Sequence, residues 1–323
     1  MRAGAGKVRV REHRSRPSGA QSNPQFRNNA GSNWRFPSSG EPALSAPDPV
    51  ILWWTLLSAA AVMNMAAWAG AFIGLRRRRT VMHPWAFDVR QRLAFLSAIY
   101  VLGCAFRSFL PMVDVPRICL ADPVFASIAV GRSVATFAEL CFAAQWALLL
   151  REAALFADAR PALLASRLLL PMIALAELSS WHAVLTTNYF SHLVENSLWT
   201  LAAFIVLVSF ASLWTKLPAA HRRWFAAFAL GALAYIGFML TVDLPMYYQR
   251  WQADALSGQT YLSLSEGAAQ ILDRCTVERT WAAWRAEVAW LTLYFTVAVW
   301  SSIALMHYPA LLSNERKGQA TAG

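Results

Sequence analysis

The sequence lacks the short motifs that mark common nucleotide-dependent and hydrolytic enzymes. It contains no GxSxG, no P-loop and no GxGxxG, so nothing in it indicates a serine hydrolase, a P-loop NTPase or a dinucleotide-binding fold. Neither HExxH nor a pair of ExxH motifs on two helices occurs either, which removes two recognisable helical metal patterns. The chemistry of this chain therefore has to be argued from composition and from the placement of single polar residues.

Lysine is scarce, and the last long apolar run has none. The only lysines are Lys7, Lys216 and Lys317. The run from Trp290 to Leu305 contains neither a lysine that could form a retinal Schiff base nor an HxxxH pair that could bind zinc. These absences weigh against rhodopsin-type pigments and against the seven-span hydrolases that use such a zinc pair.

What the sequence has instead is apolar bulk. Hydrophobic residues make up 57% of the chain, and 15 residues are tryptophan, which is unusual for a soluble domain. Long apolar runs lie at about 49–75, 93–111, 124–150, 163–185, 194–215, 224–243 and 286–307. A helix needs roughly 20 residues to cross a ~30 Å hydrocarbon core, and no alternating barrel strands are visible. We therefore predict an all-α polytopic membrane protein, a bundle of seven transmembrane helices.

Prolines set the expected boundaries of several helices. Asp122-Pro123 predicts the start of the third helix, because it joins an N-cap residue to a proline at the first helical position. Pro161 predicts the start of the fourth helix, and Pro171 is expected to kink it. Asp243-Leu244-Pro245 predicts the end of the sixth.

The formal charge of +11 comes almost wholly from arginine. The arginines cluster in the N-terminal tail and at the ends of apolar runs, which fits orientation in a membrane better than nucleic-acid binding. One set of loops carries Arg76, Arg77, Arg78, Arg79, Arg90, Arg92, Arg151, Arg160, Arg167, Lys216, Arg222, Arg223, Arg316 and Lys317. The other set carries Arg35, Arg117, Arg250, Arg274, Arg279 and Arg285. The positive-inside rule then places the N-terminus outside and the C-terminus in the cytoplasm. We expect a bacterial inner membrane or a plasma membrane, with an organellar membrane less favoured.

Composition divides the chain into three parts. Residues 1–47 are rich in Arg, Ser, Pro, Asn, Gln and Gly, so we predict a disordered basic tail. Residues 48–310 form the predicted transmembrane domain, and residues 311–323 a short cytoplasmic tail. Within the domain, the long loop 244–285 is expected on the outer side as a lid over a site.

Cysteine usage is sparse, with 4 cysteines and no CxxC. Cys104 and Cys141 fall inside apolar runs and are interpreted as small core residues. Cys119 and Cys275 fall in loops that the predicted topology places on the same outer side. A disulfide between these two would form in an oxidising compartment, although four cysteines also permit other pairings.

Ionisable residues inside the apolar runs give the strongest functional signal. They are costly in hydrocarbon and persist mainly where they pair or line a polar cavity. In the third run, Arg132, Thr136 and Glu139 share one helix face. Glu139 is therefore either half of an ion pair with Arg132 or Arg107, or a proton carrier and general acid–base group.

The fourth and fifth runs bring a second group of polar residues to their outer ends. Glu177 and His182 close the fourth run, while His192, Glu195 and Asn196 follow at helical spacing on one face of the fifth. His182, His192 and Glu195 are candidate ligands for a metal ion. The alternative is that both histidines are interfacial side chains that reach toward water.

We predict a ligand site that opens to the outer side. Its expected residues are Arg107, Arg132, Glu139, Glu177, His182, His192, Glu195, Asn196, Asp243 and Tyr247. Besides the lipid bilayer, the expected partner is a small polar or anionic molecule that the protein binds, senses or translocates, and no nucleic acid is expected.

Two alternatives remain open at the sequence level. One is an intramembrane enzyme that acts on a lipid or lipid-linked substrate, with Glu139 or Glu177 as the catalytic base and, in one form, a metal cofactor. The other is a structural or assembly subunit in which the charges only pair helices. The sequence does not identify a cofactor.

Overall fold

The structure is a computed structural model that describes residues 48–121, 125–272 and 275–308. Within these ranges, seven helices are long and apolar enough to cross a membrane. The predicted all-α seven-helix bundle is thereby confirmed. The predicted tails, residues 1–47 and 311–323, lie outside the described residues.

The spans are built from helices and two short π-helical turns. The helices are α1 (Pro49–Arg77), α2 (Pro84–Phe109), α3 (Ile128–Phe156), α4 (Arg160–Thr186), α5 (Tyr189–Leu213), α6 (Ala219–Phe238), α7 (Leu244–Ser257), α8 (Leu264–Gln270), α9 (Trp281–Leu293) and α10 (Val299–Leu305). A 3₁₀ turn, Trp214–Lys216, extends α5. The π turn Met239–Asp243 joins α6 to α7, and the π turn Tyr294–Ala298 joins α9 to α10. The sixth and seventh spans are therefore Ala219–Ser257 and Trp281–Leu305.

Two expected helix boundaries are wrong. Residues 244–257, expected to be the first part of a loop, are helical. Pro245 does not prevent this, because it stands in the first turn of α7. A proline there needs no hydrogen-bonded N–H, and the π turn just before it changes the hydrogen-bond register. At the third helix, Ser127 is the N-cap and its Oγ accepts from the backbone N–H of Val130 at 3.3 Å. The predicted cap residues Asp122 and Pro123 lie outside the described residues.

The helices α1 to α5 each pack against the next in sequence, α5 also packs against α6 and α7, and α10 packs against α2 and α3. Large apolar side chains point away from the bundle, for example Phe95, Phe137, Leu178 and Leu230, which are more than half exposed. Many charged and polar side chains are buried instead. This arrangement is the one expected of helices surrounded by lipid.

A small cap covers one end of the bundle, and we call this end the cap end. Strand β1 (Met112–Val113) pairs antiparallel with β2 (Ile118–Cys119), which pairs parallel with β3 (Thr276–Val277). Cys119 and Cys275 form a disulfide with a Cα–Cα distance of 5.9 Å. The cap therefore ties the loop after α2 to the loop before α9.

Backbone contacts hold the cap close to the helices. The backbone N–H of Ala129 donates to the carbonyl of Ile271 at 3.1 Å. A side chain at Gly131 would collide with the Met112 sulfur, and one at Gly267 would collide with the Leu185 carbonyl. Glycine at these two positions allows the cap and α8 to lie directly on α3 and α4.

Candidate functional site

Arg132 lies at the centre of a buried charge cluster beneath the cap. One guanidinium nitrogen, Nη2, is 2.6 Å from Glu177 Oε2, 3.2 Å from Glu139 Oε2 and 3.6 Å from Glu195 Oε1. The other, Nη1, is 3.7 Å from Asp114 Oδ2. Four carboxylates from three helices and the cap thus surround one cation.

The helix faces predicted from spacing bring this cluster together. Thr136 is one turn from Arg132 on α3, and its hydroxyl donates to Glu177 Oε2 at 2.7 Å. The indole Nε1 of Trp181 donates to Thr136 Oγ1 at 3.1 Å. Glu139, two turns from Arg132, accepts from the Tyr294 hydroxyl at 2.9 Å. The α3 stripe is therefore bonded to α4 on one side and to the seventh span on the other.

Arg107 donates hydrogen bonds to the backbone of α3 and of the cap. Its Nη1 donates to the Gly131 carbonyl at 3.2 Å, and its Nη2 donates to the Met112 carbonyl at 3.0 Å. Asp114 is farther away, with Oδ1 3.8 Å from Arg107 Nη2. Of the two arginines predicted as ion-pair partners of Glu139, the described contacts show Arg132.

The two candidate metal-binding histidines occupy different surroundings. The ring Nδ1 of His192 is 2.8 Å from Glu195 Oε2, within the cluster. The ring Nδ1 of His182 is 2.8 Å from the Ser191 hydroxyl, a contact between α4 and α5. The described carboxylates that approach one another are instead Glu139, Glu177 and Glu195, each offering an oxygen within 4.8 Å of the others. The geometry brings together three glutamates in place of the predicted two histidines and one glutamate.

A cavity of about 90 Å³ opens beside the cluster. In such terms one water needs about 10–15 Å³, so the space admits several waters or a small molecule. Of the predicted residues, its walls include Arg107, Arg132, Glu139, His192, Glu195, Asn196 and Tyr247. Glu177 adjoins it through Arg132, whereas His182 and Asp243 are not among the residues that line it.

Several residues that line the cavity were not predicted from the sequence. The cap contributes Asp114, and the seventh span contributes Glu287, Trp290 and Tyr294. Glu287, Leu291 and Tyr294 recur at helical spacing at the start of the last apolar run, and this stripe was the available signal. Asp114 carried no comparable signal, because a loop residue has no periodic neighbours.

Glu287 is also the ion-pair partner of Arg250. Arg250 Nη2 is 2.7 Å from Glu287 Oε1, and its guanidinium carbon lies 5.5 Å from the Tyr247 ring centre. Asp243 is 2% exposed, and its Oδ2 has no hydrogen-bond partner among the described residues.

Unsatisfied oxygen atoms are a further feature of the cluster around Arg132. Glu177 Oε1 and Asp114 Oδ1 are buried and accept no hydrogen bond from the described residues. Buried polar atoms in native proteins usually have a partner. Water or a ligand that donates hydrogen bonds would satisfy these oxygens.

No protein-family model, no curated protein and no solved structure matches this chain. The site therefore has to be interpreted from its own geometry.

Proposed function

We propose that this integral membrane protein binds a small positively charged polar molecule, such as an organic ammonium ion, in the cavity beside Arg132. The sequence-based expectation was a small polar or anionic ligand. The charges around the cavity favour a polar ligand that is positively charged over an anionic one.

The observation that carries this proposal is that buried carboxylates outnumber the arginines that lie near them. Asp114, Glu139, Glu177 and Glu195 all lie within 4 Å of the guanidinium of Arg132, and Arg107 lies 3.8 Å from Asp114. The three glutamates have oxygens within 4.8 Å of one another, and buried like charges at that distance repel strongly. Protons or a bound cation would relieve that repulsion, whereas an anion would increase it.

The arginines expected to attract an anion already have other partners. Arg132 is held by carboxylates, and Arg107 donates to two backbone carbonyls. Arg250 is paired with Glu287. An incoming anion would have to displace one of these contacts.

Aromatic walls support the same ligand class. Tyr247, Trp290 and Tyr294 line the cavity together with the carboxylates. Ammonium groups bind favourably over aromatic faces, and removal from water strengthens the interaction. Carboxylates and aromatic rings in one cavity are therefore suited to a cation with an apolar part.

The positive-inside distribution of arginine supports a site that faces away from the cytoplasm. Asp114 and Met112 of the cap line the cavity, and the cap joins two loops of the arginine-poor side. We place the protein in a bacterial inner membrane or a plasma membrane and the ligand in the non-cytoplasmic compartment.

Thermal-shift binding measurements test the proposal. The intact chain in mild detergent is titrated with methylammonium, choline and putrescine, and separately with acetate and phosphate at equal ionic strength. We expect at least one amine to raise the melting temperature, because a ligand that binds only the folded state stabilises it. Glu195→Gln should weaken that shift, while Glu266→Gln, an exposed change on α8, should leave it intact. Stabilisation by the anions alone would refute the proposal.

A second candidate function follows from the glutamate triad. The oxygens of Glu139, Glu177 and Glu195 that lie within 4.8 Å of one another are hard ligands of the kind that divalent cations prefer. A metal held there would favour the intramembrane enzyme. Elemental analysis of protein purified without chelator decides this, since a stoichiometric metal lost in Glu177→Gln would support it.

A further inference from the structure

A second buried charge cluster lies at the end of the bundle opposite the cap, which we call the far end. Arg90 of α2 and Glu152 of α3 are both buried, with Nη2 3.6 Å from Oε1. The Arg90 guanidinium carbon lies 5.5 Å from the ring centre of Tyr308, which itself packs against the His221 ring of α6. The cation–carboxylate arrangement of the cap end is thus repeated, in smaller form, at the far end.

A third polar group lies between these two ends. Ser302 Oγ is 2.6 Å from Gln145 Oε1 and 2.9 Å from Ser97 Oγ. All three side chains are 0% exposed. Gln145 Nε2 also donates to the Leu93 carbonyl at 3.0 Å. This group joins α2, α3 and α10 at the middle of the bundle.

Tyrosine hydroxyls extend the cap-end cluster toward this middle group. Tyr294 donates to Glu139 Oε1 at 2.9 Å. The ring of Tyr100 packs edge-on against Tyr294 with centroids 6.0 Å apart. The Tyr100 hydroxyl is buried and lies close to the Tyr294 hydroxyl and to the Cys104 thiol. On α2, Tyr100 lies one turn from Ser97 of the middle group.

On α2, the members of these groups follow one helix face, because Arg90, Ser97 and Tyr100 are spaced by seven and three residues. On α3 the line changes face, since the six residues from Glu139 to Gln145 turn the helix by about 120°. From Glu139 to Glu152 the rise is about 20 Å at 1.5 Å per residue. An apolar cluster that includes Leu149, Leu169 and Phe210 packs α3, α4 and α5 together.

We propose that this polar line conducts protons between the cavity and the far end of the bundle. The line begins at the cap end with Tyr294, whose side chain lines the cavity, and its acceptor at the far end is Glu152. Tyr100, Ser97, Ser302 and the amide of Gln145 provide the hydrogen-bonding groups between them. Water molecules bridge the gaps, and each step passes one proton along a hydrogen bond and restores the carrier.

Interhelical hydrogen bonds alone would serve packing, but the far end of the line has donors that the packing leaves without a hydrogen bond. Both terminal nitrogens of Arg90 are buried and make no hydrogen bond among the described residues, and Nη2 is 3.6 Å from Glu152 Oε1. Burying a donor without a hydrogen bond costs free energy. Bridging water would supply these bonds, and such water is also what a proton path requires.

Charged and titratable groups face both ends of the line. Glu139 is faced by Arg132 on its own helix, by Glu177 on α4, by Glu195 on α5 and by Tyr294 on the seventh span. Glu152 is faced by Arg90 on α2 and lies near Tyr308 after α10. A proton can thus enter the line from the cavity at Tyr294, while Arg90 favours its release from Glu152 at the other end.

Proton uptake into vesicles tests the proposal without any ligand, so its result is independent of the cation-binding proposal. The intact protein is reconstituted with an internal pH-sensitive dye, and a potassium gradient with valinomycin sets the interior negative. We expect acidification faster than in protein-free vesicles. Gln145→Leu and Ser97→Ala should reduce it to the protein-free level, while Ser209→Ala should not, because the buried Ser209 hydroxyl donates to the Ile205 carbonyl of its own helix, α5.

The variants are compared after their elution volume and melting temperature show that they are folded. Ser97→Ala removes a single hydroxyl, and it carries the test if Gln145→Leu fails to fold. Wild-type vesicles that acidify no faster than protein-free vesicles would overturn the proposal. So would a folded Ser97→Ala protein that conducts at the wild-type rate.

Discussion

At the residue scale, one arginine organises the site. Arg132 is 5% exposed, and its partners come from α3, α4, α5 and the cap. Breaking a buried ion pair by removing one partner leaves an uncompensated charge. Here the loss of the cation would leave several carboxylates facing one another, so Arg132 is the side chain on which the whole cluster depends.

We therefore expect Arg132→Leu to destabilise the protein by about 3–5 kcal/mol, the range for breaking a buried pair. Tryptophan fluorescence during thermal unfolding in detergent measures the loss. Arg285→Ala, an exposed change on α9, should unfold at the wild-type temperature. Equal melting temperatures for Arg132→Leu and wild type would show that the cluster does not hold the helices together.

His307 gives the protein a specific response to acid. It lies just beyond the seventh span, and burial lowers its pKa below the usual range, with Arg78 and Arg90 adding repulsion. The unfolded chain therefore binds a proton more readily than the folded one. Its contribution to stability is complete above the unperturbed pKa of about 6.5 and is lost as pH falls from there toward the folded-state pKa.

The corresponding test compares His307→Gln with wild type across this pH range. The difference between their melting temperatures should change in favour of the variant as pH falls below about 6.5. Carboxylates elsewhere contribute equally to both proteins and cancel in the difference. A constant difference at every pH would contradict the assignment to His307.

At the element scale, the number of spans was predicted correctly from the length of the apolar runs. The end of a helix was predicted wrongly where it depends on the local hydrogen bonding of the backbone. The sixth span illustrates the failure. Pro245 reads as a stop signal, yet the π turn Met239–Asp243 lets the helix continue to Ser257. A π turn has no sequence signature of its own, so the residues could not have predicted it. The remaining segment, 258–280, contains α8 and β3, and its role as a lid stays a prediction.

The cap is a second element that depends on a long-range connection. Cys119 and Cys275 are separated by 156 residues, and the strands they flank are only two residues long. Strands this short are not stable by themselves. The covalent link and the helices beneath it are therefore what keep Asp114 over the cavity.

We expect the double variant Cys119→Ser/Cys275→Ser to lose about 2–4 kcal/mol of stability, as is typical for the removal of a disulfide. Thermal unfolding of wild type with and without reductant should show the same loss. Cys141→Ser serves as the control, since Cys141 is a free cysteine away from the cap. A double variant as stable as wild type would mean that packing alone holds the cap.

At the scale of the whole molecule, the orientation in the membrane remains a prediction. It rests on the distribution of arginine among the loops and can be measured directly. Single cysteines at Ser257 and Arg78, placed in a background in which Cys104 and Cys141 are serine, should respond differently to a membrane-impermeant maleimide applied to intact cells. We expect labelling at Ser257→Cys and none at Arg78→Cys. The reverse pattern would invert the topology and place the cavity toward the cytoplasm.

Site residues on one helix were predicted from the sequence better than site residues that come from distant segments. Arg132 with Glu139, and His192 with Glu195, were visible because helical spacing places them on common faces. The contribution of Asp114, Glu287 and Tyr294 was not visible, because contacts between distant segments leave no periodic pattern in a single sequence. The excess of carboxylates over arginines, on which the proposed ligand class depends, likewise becomes visible only when these segments are brought together in the fold.

The distribution of site residues along the chain also has a consequence for biogenesis. Parallel pairing joins β2, early in the chain, to β3, just before the last span, and Glu287 and Tyr294 enter the cavity from that span. A nascent chain that has inserted six helices therefore carries Arg132 and its glutamates without their cover. Such an intermediate should depend on insertion factors that shield polar helix faces until translation ends, and its premature release should route the chain to proteolysis.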